Sequence, residues 1–360
     1  MKKFLITLLS FLLFLSSHSQ CMAPYSDFNF FQYVFENGKS TKIEPLPLKG
    51  YKVGKEVFAY VHQNSRLKVY YQGSTYNACD VVPNYFTTDH LFVFQNLNSI
   101  KVLNENRFQQ IEFQFREGED RLYVSDSLVV WTNPFREVNV FYNGVTRKID
   151  DINTMNAKIS DNTYAYMDIS NNFKVFYQGK VSVLESYVPE QFYVDRDIVT
   201  WLDYQSNYKF FYKGKIYESN INNVLQVFPC EKQFVYISRL NEFSVWREGE
   251  EITLLNYVPP KFEVKENMIV YADKGNNFYC FYNGEKIWVE RYIPTEWVID
   301  NDILVYKDIN GRLKAIYFGK EIEVSDQIVQ KFTLYNETVV YSLQPYETKI
   351  WCAGKTYTYR

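Results

Sequence analysis

The chain has 360 residues, 46% hydrophobic and 19% aromatic with 32 Tyr and 29 Phe, so material for a large core is ample. Charged residues make up 22% and the formal net charge is −3. With no basic stripe and no block of like charge, that balance excludes an electrostatic nucleic-acid binder.

The chain opens on Lys2 and Lys3, followed by an apolar run over residues 4–15 and then Ser17-His18-Ser19. This pattern reads as an export signal over residues 1–19, cut before Gln20. The run is too short to span a bilayer, and no later stretch competes with it. The expectation is a periplasmic or secreted protein with no transmembrane segment. A lipid anchor on Cys21 is disfavoured, because His18 and Gln20 stand where an apolar and a small residue are required. Five cysteines follow the signal: Cys21, Cys79, Cys230, Cys280 and Cys352. Their number is odd and their spacing matches no zinc or redox motif. A closed ring would bring Cys21 and Cys352 together as a clasp, but buried free thiols are the commoner outcome and the expected one.

From Tyr25 onward the chain repeats. A signature glycine recurs at Gly144, Gly179, Gly214, Gly249, Gly284, Gly319 and Gly354 in steps of 35 residues, as aromatic-Tyr-x-Gly at Gly144, Gly179, Gly214 and Gly284, and Gly38 and Gly73 are a further pair at that spacing. Thirteen residues before each glycine stands Tyr or Trp, as in Tyr60, Trp131, Tyr166, Trp201, Tyr271 and Tyr306, and Phe94 fills the one gap. Ten modules of one supersecondary unit result, a single repeat domain over residues 20–360.

Residues 268–302 show one module. Met268-Ile269-Val270-Tyr271 is a first strand, Asp273 to Asn277 a turn, and Phe278 to Tyr282 a second strand. Asn283-Gly284 is a hairpin signal, Lys286 to Val289 a third strand, and Trp297-Val298-Ile299 a fourth. No room remains for a helix. Phe278, Cys280 and Tyr282 point to one face and Phe281 to the other, so both faces of the small sheet must be covered. The expected fold is all-β, a β-propeller of about ten short four-stranded blades. Two five-bladed rings or an open β-superhelix are the alternatives. A ring of ten such blades should have a wide channel. The last module stops after its third strand, so one blade has three strands or the ring is incomplete.

Module three departs from the pattern. Its hairpin, Asn104-Glu105-Asn106, lacks glycine, and a charged stretch with Arg107, Glu112, Arg116, Glu117, Glu119, Asp120 and Arg121 follows. Breaks in local consistency gather at functional sites, which makes Arg107, Arg116 and Arg121 the candidate binding residues. A drifted loop is the competing and favoured reading.

Catalytic chemistry finds little support. After the signal only His62 and His90 remain, both in turn positions, and no nucleophile elbow, zinc motif or phosphate loop occurs. The repeated Asp168, Asp203, Asp273 and Asp308 read as turn caps rather than calcium ligands. No catalytic residue, metal or cofactor is expected. A carboxylate-dependent glycosidase would need paired carboxylates on the channel wall.

The unit Tyr-x-Asp-x-x-x-x-Phe-x-x-Phe-Tyr-x-Gly-Lys resembles β-propeller repeats over residues 25–360. It is also similar to short exported bacterial repeats of the form Asp-Lys-Asn-x-x-Tyr-Tyr-x-Gly-Lys, as Asp273-Lys274-Gly275-Asn276-Asn277 and Phe281-Tyr282-Asn283-Gly284 show. Neither resemblance implies an activity. The reading is a non-catalytic exported scaffold that binds an envelope or outer-membrane protein, as an accessory or plug-like subunit of a transport or secretion complex. A glycan-binding lectin is the alternative, and a glycosidase comes third.

Overall fold

The computed structural model describes residues 21–359 apart from 117, 120, 153, 154 and 346. The export signal read at residues 1–19 lies outside the described residues. Among those described there are thirty-nine strands and no helix, arranged as ten antiparallel sheets in chain order. Nine sheets have four strands, and the first has three: Met22–Ser26, Gln32–Glu36 and Lys39–Glu44.

The blade boundary falls elsewhere than the sequence module suggests. Trp297–Asp300, read as a fourth strand, pairs with Ile303–Lys307 and so opens the following blade. A two-residue turn, Asn301-Asp302, joins those two strands, whereas residues 291–296 form a longer link between blades. Blade 8 therefore consists of Lys261–Lys265, Met268–Ala272, Phe278–Tyr282 and Glu285–Glu290. The opening strands of neighbouring blades lie against one another and are innermost. Blade 1 is the one that lacks this inner strand. Tyr51 of blade 2 and Tyr335 of blade 10 meet across the vacancy, their hydroxyls 3.0 Å apart.

Burial explains the ring. The buried apolar side chains fall into ten clusters, and each joins two consecutive blades. In blade 8, Met268, Val270, Phe278, Cys280 and Tyr282 pack toward blade 9, while Ile269, Tyr271 and Phe281 pack toward blade 7. Strand alternation thus buries both faces of every sheet. Ten blades with ten interfaces form one closed ring. The tenth interface, with Tyr25 and Phe35 against Ile350 and Cys352, excludes both the open superhelix and the paired five-bladed rings.

Closure also corrects the cysteine expectation. Cys21 and Cys352 form a disulfide across the blade 1–blade 10 interface, their Cα atoms 6.0 Å apart despite a sequence separation of 331. With its sulfur so engaged, Cys21 cannot carry a thioether lipid. Cys79, Cys230 and Cys280 are free thiols.

One turn has the same backbone geometry in all ten blades. Between the third and outer strands both turn residues take positive φ, as in Asn283 (51°) and Gly284 (87°), the geometry that favours Asn-Gly. Blade 3 makes the same turn without glycine: Glu105 (48°) and Asn106 (62°) adopt it, since Asn tolerates the left-handed region. Between the second and third strands the Asp caps its own turn. Oδ1 of Asp273 accepts the N–H of Gly275 (2.8 Å) and of Asn277 (2.9 Å), and Asp168, Asp203 and Asp308 repeat the arrangement. His62 holds the equivalent turn through its backbone and ring nitrogen.

The Tyr/Trp marker has a polar reason. In four blades its O–H or N–H donates to a carboxylate of the preceding blade, and a lysine from its own blade binds the same group. Tyr306 and Lys314 meet Glu290 (3.3 and 3.1 Å), and Trp201 and Lys209 meet Glu185 (3.2 and 3.0 Å). Tyr60 with Lys68 on Glu44, and Tyr166 with Lys174 on Asp150, repeat the triad. Where the carboxylate is replaced by Leu255, the Tyr271 hydroxyl is buried without a partner.

Two outcomes follow. Tyr306→Phe should lower stability by about 1 kcal/mol in denaturant melts, whereas Tyr271→Phe should be neutral or mildly stabilising, because only the first removes a hydrogen bond. Cys352→Ser, or reduction of the wild type, should cost about 3–5 kcal/mol, because the disulfide closes nearly the whole chain into one loop.

Candidate functional site

A meander of four strands puts alternate turns at opposite ends. The inner hairpins and the Asn-Gly-type turns lie on one face of the ring, and the Asp-capped turns and inter-blade links on the other. The two faces carry different chemistry.

On the first face the inner-hairpin tips converge on the axis. The residue eighteen before each signature glycine stands there: Asp126, Asp161, Arg196, Glu231, Glu266, Asn301 and Asn336, joined by Lys55 and Asp89. Neighbouring tips are tied together. Asp89 N–H donates to Asp126 (2.9 Å), Arg196 N–H to Ser160 Oγ (2.9 Å) and Asn336 N–H to Asp300 (2.8 Å). Asn301 N–H donates to the Glu266 carboxylate. The two cations reach farther. Lys55 of blade 2 (3.0 Å) and Arg196 of blade 6 (3.2 Å) both donate to Oδ1 of Asn301 in blade 9. Arg196 also pairs with Glu231 and, at 3.5 Å, with Asp161. Side chains from distant blades therefore bridge this mouth, which corrects the expectation of a wide channel at this end. An open hollow of about 360 Å³ remains, lined by Asp89, Asp126, Asp161, Asp195, Glu231, Glu266 and Asp300 around Arg196.

Crowding raises the carboxylate pKa values. Burial, with Asp126 adding to it, lifts Asp89 to about 6. Burial outweighs the attraction of Arg196 and takes Glu231, 2% exposed, to about 8. Burial and the nearby Asp300 carboxylate take Glu266 to about 7. Asp161 and Asp195 are raised by burial as well. Among the described residues no group of three His, Cys, Asp or Glu side chains is placed to hold a metal ion.

The opposite face carries an apolar crown. The capped turn forces its tip residues outward, and in several blades these are large and apolar: Phe28 and Phe30, Phe135, Ile169, Leu240 and Ile309. Leu97 occupies the shorter turn of blade 3. Phe135 is 77% exposed, and Leu240 and Ile309 are 78% exposed. Single exposed apolar residues are ordinary, but a set gathered on one face marks an interaction surface.

Of the residues singled out in the sequence, Arg107 starts the outer strand Arg107–Glu112 of blade 3, at its Asn-Gly-type turn. Arg116 and Arg121 lie in the link beyond the other end of that strand, about 17 Å away at the usual rise. The structure brings the last two together in one loop but not the first. Arg116 pairs with Glu119 (2.6 Å), and the backbone of Arg121 bonds to Thr132. Glu112 is the carboxylate that accepts the Trp131 N–H (2.8 Å), so the extra length of the module falls after it, in the link. Glu117 and Asp120 lie outside the described residues. The axial ring escaped the sequence reading, although a polar residue recurring eighteen before each glycine was a signal for it.

A family model described as a 10-bladed beta propeller domain matches residues 16–357. No curated protein matches the chain. Among solved structures it is similar to PorZ, a surface component of the type-IX secretion system of Porphyromonas gingivalis. That likeness has 9% identity and a TM-score of 0.30, and covers 95% of this chain and 58% of PorZ. It is similar to BamB from Moraxella catarrhalis at 10% identity and a TM-score of 0.32, over 75% of this chain and 96% of that one. The computationally designed Ika8 protein has 15% identity and a TM-score of 0.31, over 74% of this chain and 95% of its own. At such identities the likeness extends to the fold alone.

The axial carboxylates set a pH dependence. In the unfolded chain they ionise near pH 4, but in the ring they keep protons up to about pH 6–8. The folded state then binds more protons across that window, so their contribution to stability declines as pH rises from about 4 to 8. Thermal melts should show Tm falling from pH 5 to pH 8.5, and Glu266→Gln should flatten that slope.

Proposed function

Because the chain belongs to the 10-bladed beta propeller domain family, we propose that it is a non-catalytic exported scaffold that docks a protein of the bacterial envelope. The role assigned is that of an accessory or plug-like subunit of an outer-membrane transport or secretion complex. The observation that carries this reading is the apolar crown. Most of its tips stand on turns pinned by a side-chain cap, Asp27, Asn133, Asp168, Ser238 or Asp308, so little conformational freedom is lost on binding. Polar neighbours such as Asn29, Arg136 and Arg239 separate the apolar tips. That mixture of apolar anchors and polar rim suits a protein surface.

Two further features support it. Axial carboxylates are engaged by hairpin-to-hairpin bonds and by Arg196 and Lys55, which favours a structural role for that mouth over catalysis. The Cys21–Cys352 disulfide is of a kind that persists in oxidising compartments and is rare in the cytosol, which supports export.

The test is affinity purification from gently solubilised envelopes, with wild type compared to the triple variant Phe135→Ser, Leu240→Ser, Ile309→Ser. Wild type should retain an envelope protein in near-stoichiometric amount. The variant, with an unchanged melting curve because only exposed residues differ, should lose it by tenfold or more. Recovery of the wild type alone, retention of the partner by the variant, or crown-dependent binding to protein-free lipid vesicles would overturn the proposal.

A further inference from the structure

Blade 6 breaks the repeat at one place. In blades 5 and 8 the sixth residue after the signature glycine, Glu185 or Glu290, pairs with the start of the third strand and receives the marker of the next blade. In blade 6 that residue is Asn220, and regular pairing stops two residues earlier at Lys209–Glu218. Ile221 takes the inward place instead. It is 4% exposed, packs with Tyr208 and Tyr236, and accepts the Tyr208 N–H at 2.9 Å. Asn220 is turned out to solvent. Marker Tyr236, deprived of a carboxylate there, bonds to Glu251. Blades 5 and 8 carry a register shift at this point, and blade 6 has none because its pairing ends before it.

Where pairing stops, an open hollow of about 370 Å³ remains between the capped turn and the end of the outer strand. That volume lies at the lower end of the ligand-pocket range. Tyr204 forms one wall, its side chain 78% exposed. Its turn is held rigid by Asp203, which accepts the N–H groups of Gln205 (2.8 Å) and Asn207 (2.9 Å). Lys209 lies within 3.0 Å of Glu185 and 3.7 Å of Glu218, and the Glu218 side chain is 82% exposed. The lining thus offers one aromatic face, amides with both donor and acceptor atoms, and two carboxylates against one ammonium. An anion would meet Asp203 and Glu218, a cation would meet Lys209, and an apolar chain would find a single ring. A pyranose fits all of these features. Its C–H face lies on an aromatic ring, and its hydroxyls both donate to carboxylates and amides and accept from amides and ammonium.

We propose that this hollow on blade 6 binds one sugar unit of a glycan, stacked on Tyr204 with its hydroxyls held by Asn207, Glu218 and Asn220. The site shares the face of the protein-docking crown, Tyr204 standing where Ile169 and Ile309 stand in blades 5 and 9, and the crown's test leaves Tyr204 in place. Fluorescently labelled full-length protein applied to an array of chemically defined bacterial oligosaccharides tests it. Wild type should bind at least one sugar saturably below 1 mM, an affinity scale ordinary for a single shallow site. Tyr204→Ala and Asn220→Ala should each weaken binding tenfold or more, Tyr204→Phe should keep most of it, and the triple crown variant should bind as wild type. A blank array at millimolar concentration, or equal binding by Tyr204→Ala with an unchanged melting curve, would overturn the assignment.

Discussion

Each of these sheets is too small to live alone. Three or four short strands cannot bury aromatic and branched side chains that project from both of their faces, so every sheet requires a neighbour in front and another behind. A linear stack would leave two faces open at its ends. The ten clusters show the solution: the last sheet packs on the first, and no apolar face is left at a terminus. The Cys21–Cys352 disulfide lies at that final joint, beside the blade that lacks its inner strand. Reinforcement is most useful there, because fewer strands are available to hold the joint.

The polar groups follow from the same packing. A marker ring that crosses to the preceding blade takes its O–H or N–H into a buried interface, where it needs an acceptor. The Glu or Asp near the end of the outer strand supplies one, and a lysine balances its charge, so the contact between blades is both apolar and bonded. At the axis the geometry turns against the charges. Many hairpin tips share a small volume, and their carboxylates are compressed until some hold their protons well into the neutral range. The rim of the opposite face has room, and there the tips are free to be apolar. The two sides of the ring divide the work, one joining the blades to each other and the other offering a surface outward.

Repetition made most of the fold legible. The glycine spacing gave the number of modules, and the alternation around Phe278, Cys280 and Phe281 required cover on both faces. The turn roles of His62 and of the repeated Asp residues are what the hydrogen bonds show. The blade boundary was not legible, because the strand at residues 297–300 is adjacent in sequence to two sheets and only its pairing chooses between them. The disulfide was also read the other way, since the proximity of Cys21 and Cys352 depends on a closure that local patterns do not encode. At module three attention went to charge, yet the structure separates Arg107 from Arg116 and Arg121 by the length of a strand.

Local chemistry, then, determined what recurs: strand, capped turn, strand, left-handed turn, with the residues whose backbone preferences and side-chain caps make each. That information lies within a few positions along the chain, so it can be read one module at a time. Tertiary structure alone decided what lies far apart in sequence but close in space: the joint between blades 1 and 10, the meeting of Lys55, Arg196 and Asn301 on the axis, and the outward turn of Asn220 beside Tyr204. Those contacts depend on how many small rotations between blades sum to a full circle, and that sum is a property of the assembled interfaces rather than of any single repeat.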